Sequence, residues 1–267
     1  MSHFHEFGQY RQEVADLETQ TRQAISDIFS MEEMPERQVF LHEQIPAFVG
    51  MGTKMMVFRL SNPNLVAKLG MATALDSFDG AIDYPDQHRD MDKVTAALER
   101  GSGVPRVEQL YAHHIGQPTE VPTVITRYIP GPTLSDLITV EAPQPLVLPT
   151  DPHVFSGMAD TLCAMEDNGI MPEESSTNII YSAADRRFHF IDYYRAEDVT
   201  EAATAAEAAL MLAKHFEPIY LDAPLPPAAY LFRDACRAKF GRAVALDIED
   251  HWRYREQVSY NPEDWPY

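Results

Sequence analysis

The chain has 267 residues, and 45 % of them are hydrophobic, which is enough to bury the core of one large domain or two modest ones. Its 41 acidic and 21 basic side chains give a formal net charge of −20. Because this charge repels nucleic-acid phosphates and anionic membrane surfaces, we expect neither nucleic acid nor a membrane as a partner. The two cysteines, Cys163 and Cys236, indicate neither a disulfide framework nor a thiolate metal site.

The N-terminal residues MSHFHEFGQYRQEV contain no basic segment followed by an apolar stretch, so they do not predict a secretory signal. The most apolar window, AAEAALMLA at residues 205–213, is short and carries a glutamate, so it does not predict a membrane span. We therefore expect a cytoplasmic protein, or one delivered to a host cell by a specialised secretion system.

Apolar residues recur every three or four positions through about the first thirty residues, a spacing that predicts an amphipathic helix. The apolar stripe consists of Phe7, Tyr10, Val14, Leu17, Ile25 and Ile28. We expect residues 1–38 to form an N-terminal helical extension that packs on the rest of the protein.

From residue 39 the pattern is rich in β-formers. The runs IPAFVGMGTKMMVFRL and NPNLVAKLG are separated by the turn-forming residues 61–64, which predicts a hairpin. HRDMDKVTAALERG then predicts a helix that Gly101 ends, and VPRVEQLYAHH and VPTVITRYI predict two further strands.

After residue 130 the pattern becomes mainly helical. PGPTLSDLI begins a helix for which Thr133 is a suitable N-cap, and a second amphipathic helix is predicted from about residue 153 to 168. NIIYS and RFHFID predict a hairpin with Phe188 and Phe190 on one face. The last 75 or so residues are expected to be mostly helical.

Four features in a fixed order carry the candidate chemistry. Gly50 and Gly52 would let backbone amides approach phosphate oxygens, although a Gly-x-Gly is also typical of a tight bend. Lys68 lies between apolar neighbours on a predicted strand. Asn178 and Asp192 lie at opposite ends of the second hairpin, which would bring together two oxygen ligands of the kind that Mg²⁺ prefers.

These motifs resemble those of the protein-kinase-like superfamily over roughly residues 39–195. Gly50, Gly52 and Val57 match the glycine-rich loop, and Lys68 in VAKL matches the strand lysine that contacts the α- and β-phosphates of ATP. VITRYIPGPTLSDLI matches the last strand of the small lobe, the hinge and the next helix. NIIY and FHFIDYY match the catalytic-loop asparagine and the metal-binding aspartate.

The resemblance implies an α+β, bilobal protein-kinase-like fold. Residues 39–129 would form a small N-lobe with an antiparallel sheet, and residues 130–267 a reduced, mainly helical C-lobe. The C-lobe lacks a recognisable activation segment, so the chain resembles the reduced kinases found among bacterial effectors. The implied cofactors are ATP and Mg²⁺, or Mn²⁺ in its place.

By the same resemblance, residues of this chain take family roles. Thr126 would be the gatekeeper, and the backbones of Arg127 and Ile129 would meet the adenine edge. Asn178 and Asp192 would bind the metal. Glu173, five residues before Asn178 in MPEESSTN, takes the place of the aspartate that orients the attacking hydroxyl, which makes Glu173, Lys68 and Asp192 the implied catalytic residues. The implied nucleotide-binding residues are Gly50, Gly52, Val57, Lys68, Asp90, Thr126, Arg127 and Ile129.

The chain also departs from the family pattern. Glu173 is one methylene longer than aspartate, and a carboxylate displaced by about 1 Å can lower the rate on the order of 10²-fold. Met171 replaces the loop histidine, Met55 occupies the third glycine position, and Tyr193 and Tyr194 replace Phe-Gly. The helical acid that would pair with Lys68 is not obvious, and Asp90 fits best, with Asp92 as an alternative.

Two classes of function remain open at this point. The first is an ATP- and Mg²⁺-dependent phosphotransferase whose acceptor the sequence does not identify. The second is a pseudokinase that acts as a nucleotide-binding or protein-interaction module. An adenylylating enzyme of the same fold is a further alternative to the first class.

Overall fold

The structure, a computed structural model, describes residues 7–28, 34–52, 54–71, 84–117, 119–138, 148–198, 204–216 and 225–257. The chain divides into two compact units. The sheet unit comprises Met1–Gly103 and Glu108–Ile129, and the helical unit comprises Val104–Val107 and Pro130–Tyr267.

The sheet unit contains a five-stranded antiparallel sheet in the order β1-β2-β3-β5-β4. Its elements are a 3-10 turn (Phe7–Tyr10), α1 (Arg11–Ile28), α2 (Met34–Gln44), β1 (Phe48–Met51), β2 (Met56–Arg59), β3 (Leu65–Leu69), α3 (Tyr84–Gly101), β4 (Leu110–His114) and β5 (Thr123–Arg127). The first β-prone run forms two strands, β1 and β2, and between them Gly52 N–H donates to the Met55 carbonyl (2.9 Å). The predicted turn at residues 61–64 joins β2 to β3, and Leu65 N–H donates to the Asn62 carbonyl there (3.0 Å).

The N-terminal apolar stripe contributes to the core of the sheet unit. Tyr10, Val14, Leu17 and Ile25 are buried in one hydrophobic cluster with residues of α2 and of the sheet, including Phe58. Packing against the sheet explains why the three- and four-residue spacing is present. That residues 1–38 form a separate extension stays a prediction.

The helical unit surrounds a core of aromatic and aliphatic side chains. Its elements are α4 (Leu134–Ile138), α5 (Pro152–Asp167), β6 (Ile170–Pro172), β7 (Ile179–Ser182), β8 (Arg187–Phe190), β9 (Tyr193–Arg195), α6 (Ala205–Ala213), α7 (Pro227–Phe240) and α8 (Arg242–Gln257), with 3-10 turns at Ser176–Asn178, Ala196–Asp198 and Lys214–Phe216. Phe155 of α5 contacts Phe188 and Phe216, each at a ring-centroid distance of 6.0 Å, and Phe216 stacks on Phe232 at 4.8 Å.

Local sequence explains where two of these helices begin. The Asp151 side chain accepts a hydrogen bond from His153 N–H at the start of α5, and Pro152 occupies the first helical position. The predicted cap at Thr133 is present, since Asp136 N–H donates to its hydroxyl at 3.1 Å.

The predicted fold class is confirmed: the protein is α+β, with an antiparallel sheet in one unit and mainly helices in the other. One ladder was not predicted. Residues 170–172 form β6, which pairs with β9, whereas the sequence indicated only a loop over residues 171–178. Among the described residues, no helix is both long and apolar enough to cross a membrane.

Candidate functional site

In the sheet unit, Lys68 lies on β3 with its ammonium group almost fully buried. Lys68 Nζ lies 2.7 Å from Glu108 Oε2, and the two side chains are only 4 % and 3 % exposed. The Thr126 hydroxyl donates to the other oxygen, Glu108 Oε1, at 2.7 Å. Removing charges from water is costly unless they are paired and hydrogen-bonded, and both conditions are met at this ion pair.

The strand register explains why these side chains meet. Lys68 lies opposite Val124 on β5, and Val66 lies opposite Thr126. Side chains two positions apart on a strand share a face, so Lys68 and Thr126 are diagonal neighbours on one face of the sheet. Thr126 is therefore held beside the lysine, and its assignment as gatekeeper stays a prediction.

Glu108 is a residue that sequence reasoning missed. The only signal was a single acid next to Val107 in VPRVEQLYAHH, where an exposed strand position was an equally good interpretation. Asp90 and Asp92, the acids proposed for this role, lie on α3, where Asp90 is half-buried and Asp92 is exposed. The assignment of Asp90 stays a prediction, and the structure adds Glu108 as a partner of Lys68.

Gly50 and Gly52 lie in the β1–β2 hairpin, where Gly50 pairs with Val57. Neither glycine has a positive φ angle, and a Cβ atom added at either position would meet no atom within 4 Å. Neither backbone conformation nor packing within the described residues therefore requires glycine at these positions.

The predicted adenine-edge residues lie at the end of the sheet unit. Arg127 N–H donates to the Gln109 carbonyl at 3.0 Å, so this donor is already used within the sheet. Ile129, the last residue of the unit, is half-buried. The contribution of Arg127 to nucleotide binding would have to come from its carbonyl or side chain.

In the helical unit, two antiparallel ladders bring together Glu173 and Asn178, predicted from one motif, and Asp192, predicted from another. Glu173 directly follows β6 and Asp192 directly precedes β9, and Glu173 N–H donates to the Asp192 carbonyl at 3.4 Å. In the β7–β8 hairpin, Ile179 pairs with Phe190, and Ile191 N–H donates to the Asn178 carbonyl at 2.8 Å. Glu173, Asn178 and Asp192 are therefore neighbours along the backbone of one small region.

The Glu173 carboxylate accepts hydrogen bonds on both oxygens. Asn178 Nδ2 donates to Oε2 at 2.5 Å, and the Tyr194 hydroxyl donates to Oε1 at 3.0 Å. Glu174, the next residue, instead pairs with Lys214 at 2.8 Å. The five-residue spacing thus picks out the glutamate that contacts Asn178. The role of Tyr194 was not predicted, because nothing in the local sequence indicates which carboxylate its hydroxyl reaches.

Asp192 has a backbone φ of +49°, in the left-handed region that most residues other than glycine avoid. Aspartate tolerates this conformation better than most residues, since its short polar side chain can hydrogen-bond locally. The sharp change of direction separates β8 from β9 and allows β9 to pair with β6 rather than continue the hairpin. Strained backbone of this kind is frequent at functional sites.

The oxygen atoms of this region fit a divalent cation that takes few protein ligands. The Asp192 carboxylate and the Asn178 amide oxygen are hard donors, and the amide nitrogen of Asn178 is held by Glu173. Mg²⁺ completes its shell with water and phosphate oxygens. Within the described ranges, no group of three or more His, Cys, Asp or Glu side chains could hold a metal ion.

No protein-family model and no curated protein matches the chain. Among solved structures, the chain is similar to one described as an apo pseudokinase, with 13 % sequence identity and a TM-score of 0.48. The similarity covers 82 % of this chain and 94 % of that one.

Proposed function

We propose that the protein is an ATP- and Mg²⁺-dependent phosphotransferase. The observation that carries this proposal is the grouping of Glu173 and Asn178, from one sequence segment, with Asp192, from another, through two separate ladders. In this proposal the Glu173 carboxylate orients a hydroxyl, and Asn178 and Asp192 would supply two oxygen ligands suited to a nucleotide-bound metal. Mn²⁺ is a second metal that this donor set would accept.

In this proposal the sheet unit holds the phosphates of ATP. Gly50 and Gly52 present backbone without side chains, and Lys68 supplies positive charge to the α- and β-phosphates. Val57, Thr126, Ile129 and the carbonyl of Arg127 would contact the rest of the nucleotide. The bound metal would neutralise negative charge on the phosphates.

Glu173 would orient the acceptor hydroxyl and take its proton. Because Asn178 and Tyr194 each hold one carboxylate oxygen, the longer glutamate side chain has a defined position despite its extra methylene. A defined position is what such a group needs, since reacting atoms must be aligned to within a fraction of an ångström.

A pseudokinase, which binds nucleotide or a protein partner without turnover, is the second candidate. The specific observation in its favour is the Lys68–Glu108 pair, in which the lysine charge is already neutralised in a buried position. A lysine that is already paired in this way can have a role within the sheet alone, without a ligand. Adenylylation is a third candidate and would use the same donors while transferring the nucleotide instead of the γ-phosphate.

The proposal is tested by calorimetry with Mg²⁺-ATP and by label transfer from ATP labelled at the γ- or α-phosphate. We expect binding, and transfer of the γ-label only. Lys68→Met and Asp192→Ala should each weaken binding or transfer at least about tenfold. Binding without transfer would favour the pseudokinase, α-label transfer would favour adenylylation, and wild-type affinity in Asp192→Ala would contradict the metal assignment.

Glu173 allows a sharper test of catalysis. Glu173→Gln keeps the shape but removes the charge, and we expect transfer to fall about 10²-fold or more with ATP binding retained. Glu174→Gln is the matched control, because that carboxylate pairs with Lys214 instead. Glu173→Asp should also lower transfer, since a shorter side chain no longer reaches both Asn178 and Tyr194. Equal transfer by wild type and Glu173→Gln would contradict the catalytic role.

A further inference from the structure

The Tyr194 hydroxyl is the group that donates to Glu173 Oε1, at 3.0 Å. Its position follows from the β6–β9 register, in which Tyr194 lies opposite Met171. Glu173 is two residues beyond Met171, so the two side chains are diagonal neighbours, a separation that long side chains can bridge. Tyr194 is half-buried, and its hydroxyl contacts the carboxylate within a single unit of the protein.

A carboxylate that orients an acceptor does so by accepting a hydrogen bond from the hydroxyl that will attack the phosphate. The Tyr194 hydroxyl donates a hydrogen bond of this kind to Glu173, the residue assigned to orient the acceptor. The second carboxylate oxygen is held by Asn178, so Oε1 is the oxygen that meets a hydroxyl in this structure. The acceptor position at Glu173 is therefore filled by a group of the chain itself.

We propose that Tyr194 is a self-acceptor, which the protein phosphorylates within the same chain. The inference rests on the proposed phosphotransfer function and specifies its acceptor. The Tyr194 oxygen forms a bond to the γ-phosphorus of ATP as the bond from that phosphorus to the β–γ bridging oxygen breaks. The bridging oxygen leaves with the electron pair as part of ADP, and the hydroxyl proton passes to Glu173. No oxidation or further reactant is involved.

The test is incubation of the purified full chain with Mg²⁺-ATP, followed by mass-spectrometric mapping of phosphate. We expect phosphate on Tyr194, formed at a rate per molecule that does not change over a hundredfold range of protein concentration. Tyr194→Phe should lose this phosphate, and Glu173→Gln should slow its formation about 10²-fold. Tyr230→Phe is the matched control, because Tyr230 is 44 % exposed on α7, and it should leave labelling of Tyr194 unchanged.

Calorimetry with Mg²⁺-ATP on the same preparation separates the two proposals. Heat of binding with γ-label on other groups, and Tyr194 unmodified, overturns the self-acceptor inference while the phosphotransferase stands. A labelling rate per molecule that rises in proportion to protein concentration also overturns it. Transfer from ATP to Tyr194 is then catalysed by a second protein molecule. Absence of nucleotide binding ends the proposed function and this inference together.

Discussion

The opposite charges of Lys68 and Glu108 are almost completely buried. Their burial determines what a substitution of either residue does to stability. A buried pair contributes little net stability compared with apolar residues of similar volume, but removal of one partner leaves an uncompensated charge. Thr126 adds a hydrogen bond to the same carboxylate. The three side chains form one network, so substitutions within it should not be additive.

We predict that Glu108→Gln destabilises the protein by about 3–5 kcal/mol, because the Lys68 ammonium loses its buried counter-charge. The double variant Lys68→Met with Glu108→Leu should lose less stability than Glu108→Gln alone, since neither side chain of the pair then carries a charge. Denaturant unfolding measures all three free energies. If Glu108→Gln unfolds within about 1 kcal/mol of wild type, Lys68 does not depend on Glu108 for compensation.

Among the elements, the β1–β2 hairpin is where a proposed role in ligand binding is most easily tested apart from folding. Its two glycines have neither left-handed backbone nor a neighbour that a side chain would strike. Gly131 shows the opposite case, since its φ is +151° and a Cβ there would lie 2.1 Å from the Tyr181 carbonyl oxygen. Glycine at position 131 is required by the fold, whereas glycine at positions 50 and 52 is not.

We predict that Gly50→Ala leaves stability within about 1 kcal/mol of wild type or raises it, because alanine restricts the unfolded chain. The same change should lower ATP affinity at least about tenfold if backbone amides of this hairpin approach the phosphates. Gly8→Ala is the matched control, since a Cβ at that exposed position also meets nothing within 4 Å. Unchanged calorimetric affinity in Gly50→Ala would contradict the phosphate-binding role of the hairpin.

At the scale of the whole molecule, each unit has its own core. A buried group that titrates, such as His215, makes the stability of the chain depend on pH. Burial lowers the pKa of His215 below its ordinary value; Glu174 raises this pKa by a smaller amount, and Lys214 lowers it further. His215 Nε2 is buried and has no hydrogen-bond partner among the described residues. Trp252 reports on the same region, because its indole N–H donates to the Ala213 carbonyl at 3.1 Å.

Because the folded pKa of His215 lies below the unfolded value of about 6.5, the unfolded chain binds the proton more readily. Its contribution to stability is present above pH 6.5 and is lost as the pH falls through the folded value. We predict that His215→Leu has a smaller loss of stability between pH 7.5 and pH 5.5 than wild type, measured by denaturant unfolding with Trp252 fluorescence. His153→Leu, at an exposed histidine of α5, should keep the wild-type slope. Identical slopes in His215→Leu and wild type would contradict the assignment.

The sequence by itself determined the features that depend on local pattern. Alternation and turn residues predicted the β-rich first half, helical spacing predicted the stripe of α1, and Thr133 predicted a helix cap, because each of these is set by neighbours a few residues apart. The five-residue spacing to Asn178 also selected Glu173 by resemblance, and the two side chains meet because only one short loop separates them.

Only the tertiary structure decided which distant groups touch. Glu108 is 40 residues from Lys68, and no local pattern says that a lone acid just before a strand turns toward a buried ammonium group. β6 and β9 have three residues each, too few to show an alternation, and their pairing alone brings the Tyr194 hydroxyl to Glu173. Long-range pairing is governed by how the chain closes and packs, so the partners that define the chemistry of Lys68 and Glu173 became visible only in the fold.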